Sequence, residues 1–339
     1  MPMQPQTPTP NEQIMQVATS YIASACLCIA AQLKVADLLA GGPKPLFELA
    51  RDTRTNEDAL YRVLRAIASV GVFTETAPRT FANTPASETL RSGAPGSLRD
   101  LAIWISDPFH LQVHAALMHS VKTGEPAVKK VTGMDAFDYF AKDKAEGDGF
   151  NAAMTNLSAM VIPAVLEVYD FSGFGTLADI AGGHGFVLTS ILQKHSDIKG
   201  ILFEVPHVVP GAKARIESLG LGSRCQIVEG DFFKSVPPAD NYVMKHVIHD
   251  WEDARAIAIL RNCAHSMRGK GKVILIESVL AAGNEPHFAK WIDIEMLAFP
   301  GGRERTEKEF ADLFSKSGLK LSRVVPTKSP LSVVEGIKA

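Results

Sequence analysis

The sequence predicts an α/β fold: a mostly parallel, doubly wound sheet that ends in an antiparallel hairpin, preceded by a helical N-terminal domain. Three observations carry this. From about residue 170, five short apolar runs alternate with helical stretches: Thr176 to Ile180, Gly200 to Phe203, Cys225 to Val228, Tyr242 to Val247 and Lys272 to Ile276. Strands this short and uniformly apolar need cover on both faces, as in a parallel sheet between helix layers. Two further runs, Leu319 to Val325 and Leu331 to Ile337, flank a tight connection containing Pro330 and close the sheet as the hairpin. Before residue 170 the apolar spacing is mainly helical.

Taken in order, residues 1–12 are rich in Pro, Gln and Thr and read as a disordered tail without the cationic start of a signal peptide. Gln13 to Leu39 reads as one helix, apolar on most sides, which requires cover from a core or a second subunit. Gly41, Gly42 and Pro43 end it. Residues 46–90 have a helix-turn-helix cadence with Thr55-Asn56 as a cap. Val72-Phe73-Thr74 and Thr80-Phe81 would form the small wing of a winged-helix-like domain spanning 13–100. Residues 46–100 hold seven Arg and no Lys against seven Asp and Glu, so the cationic surplus that DNA binding needs is missing. Residues 101–168 stay helical and supply the large apolar groups Trp104, Phe109, Phe137, Phe140, Phe150 and Met154 to the roof of a pocket. His110, His114 and His119 in this segment lack the acidic partner of a zinc helix and read as neutral or pocket-lining. Residues 169–339 form the sheet domain.

Composition bounds the function. The chain has 339 residues, 46% hydrophobic and 21% charged, with a formal charge of −2. That describes a soluble globular protein of about two domains and no nucleic-acid footprint. The longest apolar run, Ile22 to Ala31, is about half a bilayer span. Cys26, Cys28, Cys225 and Cys263 form no CxxC pair, so reduced buried thiols and a cytoplasmic location are expected, with no metal site.

In open α/β sheets, ligands bind beyond the carboxyl ends of the strands. The strand ends here read Asp179-Ile180-Ala181-Gly182-Gly183-His184-Gly185, then Phe203-Glu204, Gly230-Asp231-Phe232-Phe233, His249-Asp250-Trp251 and Glu277. A dinucleotide fingerprint fails, because Leu188 stands where its third glycine belongs. Glu204, nineteen positions beyond Gly185, suits ribose hydroxyls in either ligand type. Asp231 can accept from an adenine amino group while Phe232 packs on the ring. Adenosine without a pyrophosphate points to S-adenosylmethionine.

The segments DIAGGHG, LFEVPHVV, GDFF, VMKHVIHDW and GGRERTEKEF resemble the plant-type small-molecule O-methyltransferases, with bacterial relatives acting on carotenoids, phenazines and polyketides, from about Gln13 to the end of the chain. The resemblance implies a Rossmann-like methyltransferase domain and an N-terminal domain that mediates homodimerisation. It assigns Ala181, Gly182, Gly183 and Gly185 to the methionine portion of S-adenosylmethionine, Glu204 to the ribose, Asp231 and Phe232 to the adenine, and Lys245 to a further cofactor contact. It implies His249 as general base, with Glu277 and Glu304 holding it, and Phe150, Met154 and Met296 as acceptor-pocket residues. Ala181 replaces a family glycine, which is tolerable if its φ is negative. Glu204 replaces the commoner Asp.

The chemistry fits those residue types. Methyl transfer from a sulfonium is an in-line displacement, so positioning supplies much of the acceleration. A phenol of pKa about 10 stays protonated at neutral pH, and a histidine near 6.5 cannot ionise it outright, since the gap costs about 5 kcal/mol. The imidazole can instead take the proton as the C–O bond forms. Carboxylates then fix its tautomer and balance the imidazolium. Two other readings stand beside this one: an NAD-dependent oxidoreductase, and a catalytically inactive methyltransferase fold used for binding.

Overall fold

In the computed structural model, which describes residues 8–339, the chain divides into two compact units, one ending at Leu111 and the other running from Gln112 to Ala339. The first opens with a helix over Pro10–Gln32. The Thr9 hydroxyl accepts from the Glu12 N–H at 3.3 Å, and the Glu12 carboxylate accepts from the Thr9 N–H at 2.8 Å. This reciprocal cap starts the helix, so the expected disordered tail over 1–12 is corrected for residues 10–12; residues 1–7 lie outside the described part. The expected single helix to Leu39 is also corrected. Lys34 takes a left-handed φ of 54°, which breaks it and sets off a short helix over Val35–Leu38. The last turns of the first helix bury Cys28, Ala30 and Ala31, whereas Ile14, Val17 and Tyr21 nearer its start are 70%, 64% and 59% exposed.

Asn56 caps the helix Glu57–Ala68 by accepting from the Ala59 N–H at 2.9 Å, and Leu46–Thr53 precedes it. Strands β1 (Lys44–Pro45), β2 (Phe73–Ala77) and β3 (Thr80–Asn83) make a small antiparallel sheet in the order β1-β3-β2. Leu49, Leu64, Ile67, Phe73 and Phe81 form the core of this unit.

The second unit holds a seven-stranded sheet. Its strands are β4 (Thr176–Ile180), β5 (Lys199–Glu204), β6 (Cys225–Glu229), β7 (Asn241–Lys245), β8 (Lys272–Glu277), β9 (Leu319–Pro326) and β10 (Ser332–Lys338), in the order β6-β5-β4-β7-β8-β10-β9. The first five are parallel; β10 runs antiparallel between β8 and β9. The pleat sends alternate residues to opposite faces. Tyr242, Met244, Val273 and Leu275 thus join one core, and Val243, Ile274 and Ile276 the other. The chain leaves β4 toward β5 on one side and returns through β7 on the other, which opens the crevice at the carboxyl ends of those strands. A long helix over Lys144–Val168 carries Phe150 and Met154.

Candidate active site

The turn after β4 is shaped by backbone demands. Gly183 and Gly185 take φ of 56° and 77°, and so does Ala181, at 54°. The expectation of a negative φ at Ala181 is therefore corrected. A left-handed alanine costs about 1–2 kcal/mol, and the residue is anchored by its N–H donating to the Phe203 carbonyl at 2.9 Å. A Cβ on Gly182 would stand 2.4 Å from Leu202 Cδ1 and 2.7 Å from the Asp179 carboxylate, whereas one on Gly183 would meet nothing within 4 Å. Gly182 lets the chain pass close to β5, and Gly183 leaves open space above the turn. Gly185, left-handed and without a side chain, stands at the N-cap of the helix Phe186–Lys194.

Glu204, at the end of β5, closes the turn. Its Oε2 accepts from the Gly183 N–H and its Oε1 from the Val205 N–H, both at 2.8 Å. Burial raises its pKa. Asp179 beneath the turn is pushed up to about 7, first by burial. Asp231 accepts from the Phe233 N–H at 2.9 Å, which fixes the loop after β6. Lys245, the last residue of β7, is pulled down to about 8 by burial, against the pull of Glu277, Asp179 and Asp250.

His249 lies on a 3-10 turn over Ile248–Asp250 and is 4% exposed. Its Nδ1 stands 2.7 Å from Glu304 Oε1 and 3.7 Å from Glu277 Oε2. The two glutamates differ in task. Glu304 bonds the ring directly; Glu277 Oε1 accepts from the Val247 and Ile248 N–H groups at 3.1 and 3.0 Å and so holds the turn. Burial alone would lower the pKa of His249, but Glu277, Glu304 and Asp250 outweigh it and push the imidazole up to about 10. Asp250 is itself pushed up to about 7, mainly by burial.

The GGRERT segment clamps the same turn. Arg305, 1% exposed, donates to the Ile248 carbonyl at 3.0 Å and the Trp251 carbonyl at 2.7 Å, and pairs with Asp253 at 2.9 Å. A Cβ on Gly302 would fall 1.9 Å from the His249 carbonyl, so only glycine allows this approach. The Arg303 N–H donates to that carbonyl at 2.8 Å.

A cavity of about 400 Å³ lies over the carboxyl ends of the strands. It brings together Ala181, Gly182, Gly183, Glu204, Asp231, Phe232 and Lys245 with Phe150 and Met154. Gly185 is not on its lining; it sits beneath as the helix cap. Met296 lies outside it, on the helix Ala289–Ala298 and 7% exposed. His249, with Glu277 and Glu304 against its ring, is not on the lining, which includes its chain neighbours His246, Val247, Asp250 and Trp251. Of the aromatic residues expected from the central segment, Phe137, Phe140 and Phe150 line the cavity and Trp104 and Phe109 do not; Phe233, Trp251 and Arg255 complete a wall that the sequence reading did not assign to the pocket. Phe137 faces Trp251 with centroids 5.4 Å apart, Phe140 stacks on Phe150 at 5.1 Å, and Phe233 meets Trp251 at 4.8 Å. Arg255 caps Trp251 at 4.1 Å. Trp251 was the legible signal, lying next to the strand-end His-Asp pair. Among the three central histidines, His114 pairs with Glu295 at 3.1 Å.

Residues 114–320 match the model of the O-methyltransferase domain, and residues 15–93 that of the O-methyltransferase dimerisation domain. The chain is 45% identical over 323 residues to phenazine O-methyltransferase PhzM of Lysobacter antibioticus, covering 95% of this chain and 94% of that one. The crystal structure of LaPhzM superposes with a TM-score of 0.93 at 44% identity, covering 98% of this chain and all of that one. That of NcsB1, an O-methyltransferase from neocarzinostatin biosynthesis in complex with S-adenosylmethionine and 2-hydroxy-5-methyl naphthoic acid, superposes with a TM-score of 0.79 at 31% identity, covering 94% and 96%.

Proposed function

The chain belongs to the plant-type family of small-molecule O-methyltransferases, an S-adenosylmethionine-dependent enzyme acting on aromatic acceptors, and on that premise we propose how its residues divide the work. The carrying observation is a single cavity that joins the glycine turn, Glu204 and Asp231 to an aromatic wall with the His249 turn at its back. The family membership sets aside the oxidoreductase and non-enzymatic readings.

The residues fit the donor. Gly183 leaves open space above the turn. Each Glu204 oxygen already accepts one backbone N–H and keeps a lone pair for a ribose hydroxyl. Asp231 and Phe232 suit the adenine. When bound, S-adenosylmethionine supplies the electrophilic methyl carbon. Phe137, Phe140, Phe150, Met154 and Trp251 hold a flat acceptor and exclude water. His249 takes the acceptor hydroxyl proton as the C–O bond forms, and Glu304 and Glu277 balance the imidazolium.

The raised pKa of His249 gives the direction of the pH dependence. A base must be unprotonated to act, so kcat/KM climbs with pH through the neutral and alkaline range. Glu304→Gln removes one carboxylate that favours the imidazolium, so the climb shifts to lower pH. Rate profiles for the wild type and the variant check this; an unmoved or alkaline-shifted limb contradicts it.

Homodimerisation, implied by the dimerisation domain, runs in this reading through the exposed Ile14, Val17 and Tyr21 face of the first helix. The helix Pro10–Gln32 and the helix Lys144–Val168 are both long and apolar enough to cross a membrane. The start of the dimerisation match at residue 15 favours a partner subunit as cover for the first. Four unpaired cysteines accord with a cytoplasmic location, and the near-neutral charge with no nucleic-acid partner. The test of the activity is a screen of phenols, flavonoids, quinones and polyketide intermediates with isotope-labelled methyl donor, read by mass spectrometry. Labelled ether products are expected; label arriving on no hydroxylated acceptor would overturn the reading.

A further inference from the structure

Of the imidazoles that line the cavity, His184, His207 and His246, the last belongs to the His249 turn, and the mechanism above leaves it without a task. Its backbone is strained: φ is 53°, a conformation that costs a non-glycine residue about 1–3 kcal/mol and concentrates at functional sites. The residue is pinned there by its N–H, which donates to the Ile276 carbonyl at 3.2 Å. The left-handed turn ends β7 two residues earlier than the sequence pattern suggests, and the ring lines the cavity beside Lys245 and Asp250. Its plane is tilted 38° to that of His249, with centroids 4.5 Å apart. Its Nε2 is buried and has no hydrogen-bond partner among the described residues. Burial, then the charges of Lys245 and His249, drive its pKa well below the ordinary value, so the ring is neutral and carries one donor and one acceptor nitrogen.

We propose that His246 binds the acceptor, hydrogen-bonding a second oxygen adjacent on the ring to the hydroxyl being methylated, and thereby selects vicinal dioxygenated aromatics. An unpaired buried nitrogen is costly, and an oxygen of a ligand in the cavity can supply its partner. A ring nitrogen of His246 and one of His249 lie within 4.8 Å of each other. Two neighbouring aromatic oxygens, held about 2.7 Å apart, span that gap with one hydrogen bond of about 2.8 Å at each end. A lone hydroxyl serves His249 only and leaves His246 unpaired.

The proposal rests on the O-methyltransferase reading and is tested within it. Methyl transfer to 1,2-dihydroxynaphthalene and to 1-naphthol is compared in the wild type, His246→Ala and His246→Asn; asparagine tolerates the left-handed backbone and keeps a hydrogen-bonding group. The wild type should favour the diol. His246→Ala should raise KM for the diol at least tenfold, about 1.4 kcal/mol, leave 1-naphthol unchanged, and be partly rescued by His246→Asn. Equal turnover of the two probes by the wild type, equal losses on both in His246→Ala, or turnover of neither while other phenols are methylated would overturn the proposal and leave the enzyme assignment standing. Absence of methyl transfer to every phenol strikes the assignment itself.

Discussion

His249→Ala should lower kcat for methyl transfer by about 10²–10⁴, the range that general-base catalysis contributes, while the affinity for S-adenosylhomocysteine stays within threefold. The ring is enclosed by Glu304, Glu277 and Asp250, and none of the lost contacts belongs to the cofactor turn. Removing a buried group from among three carboxylates also leaves charges without a counter-ion, so a folding defect must be separated from a chemical one. His249→Gln keeps an amide donor for Glu304 and serves as the second variant: it should melt near the wild type and remain as inactive as alanine. Stopped turnover with intact cofactor binding in both variants establishes the base. Turnover within tenfold of the wild type in a folded His249→Gln removes that role and turns attention to the imidazoles that line the cavity, His246 first among them.

Legibility in the sequence followed the physics of each element. The strands were readable because burial on both faces leaves few residue types, and all seven lie within two residues of the expected bounds. Their ends were readable too, because a parallel sheet gathers its carboxyl termini at one rim, so Gly183, Glu204, Asp231 and Lys245 meet in one cavity although they are far apart in the chain. The failures lie where one backbone angle decides. Nothing about a lysine announces the left-handed φ at Lys34 that splits the first helix, and Ala181 and His246 adopt that region because strand pairing pins their N–H groups. Thr9 and Glu12 were a legible cap, hidden by the Pro-rich composition around them. Tertiary placement was out of reach: spacing within the helix Ala289–Ala298 could not show that Met296 stays off the cavity lining, nor that Phe137 comes to face Trp251.

Glu204→Ala should weaken S-adenosylhomocysteine binding about 10²-fold. A carboxylate has about four acceptor positions. Two are occupied by the Gly183 and Val205 N–H groups at 2.8 Å, which leaves one on each oxygen, the number that two adjacent ribose hydroxyls need. Hydrogen bonds to a charged group contribute about 1.5–3 kcal/mol each, so losing both removes roughly 3 kcal/mol or more, and every 1.4 kcal/mol is a factor of ten. Glu204→Gln separates the shares. Its amide nitrogen cannot accept, so one of the two backbone N–H groups loses its partner and the turn loosens although the side chain is nearly the same size. Affinity should then lie between the wild type and alanine. Glu204→Asp, one methylene shorter, must give up either the turn or the ribose and should also fall between. Because burial raises the pKa of Glu204, affinity should decline as pH drops through that range, when the protonated acid no longer offers both oxygens as acceptors. Titration calorimetry reads all three variants, and circular dichroism confirms that each is folded. A folded Glu204→Ala that binds within threefold of the wild type would show that the ribose is held elsewhere, and with it would go the placement of the donor across β4 and β5.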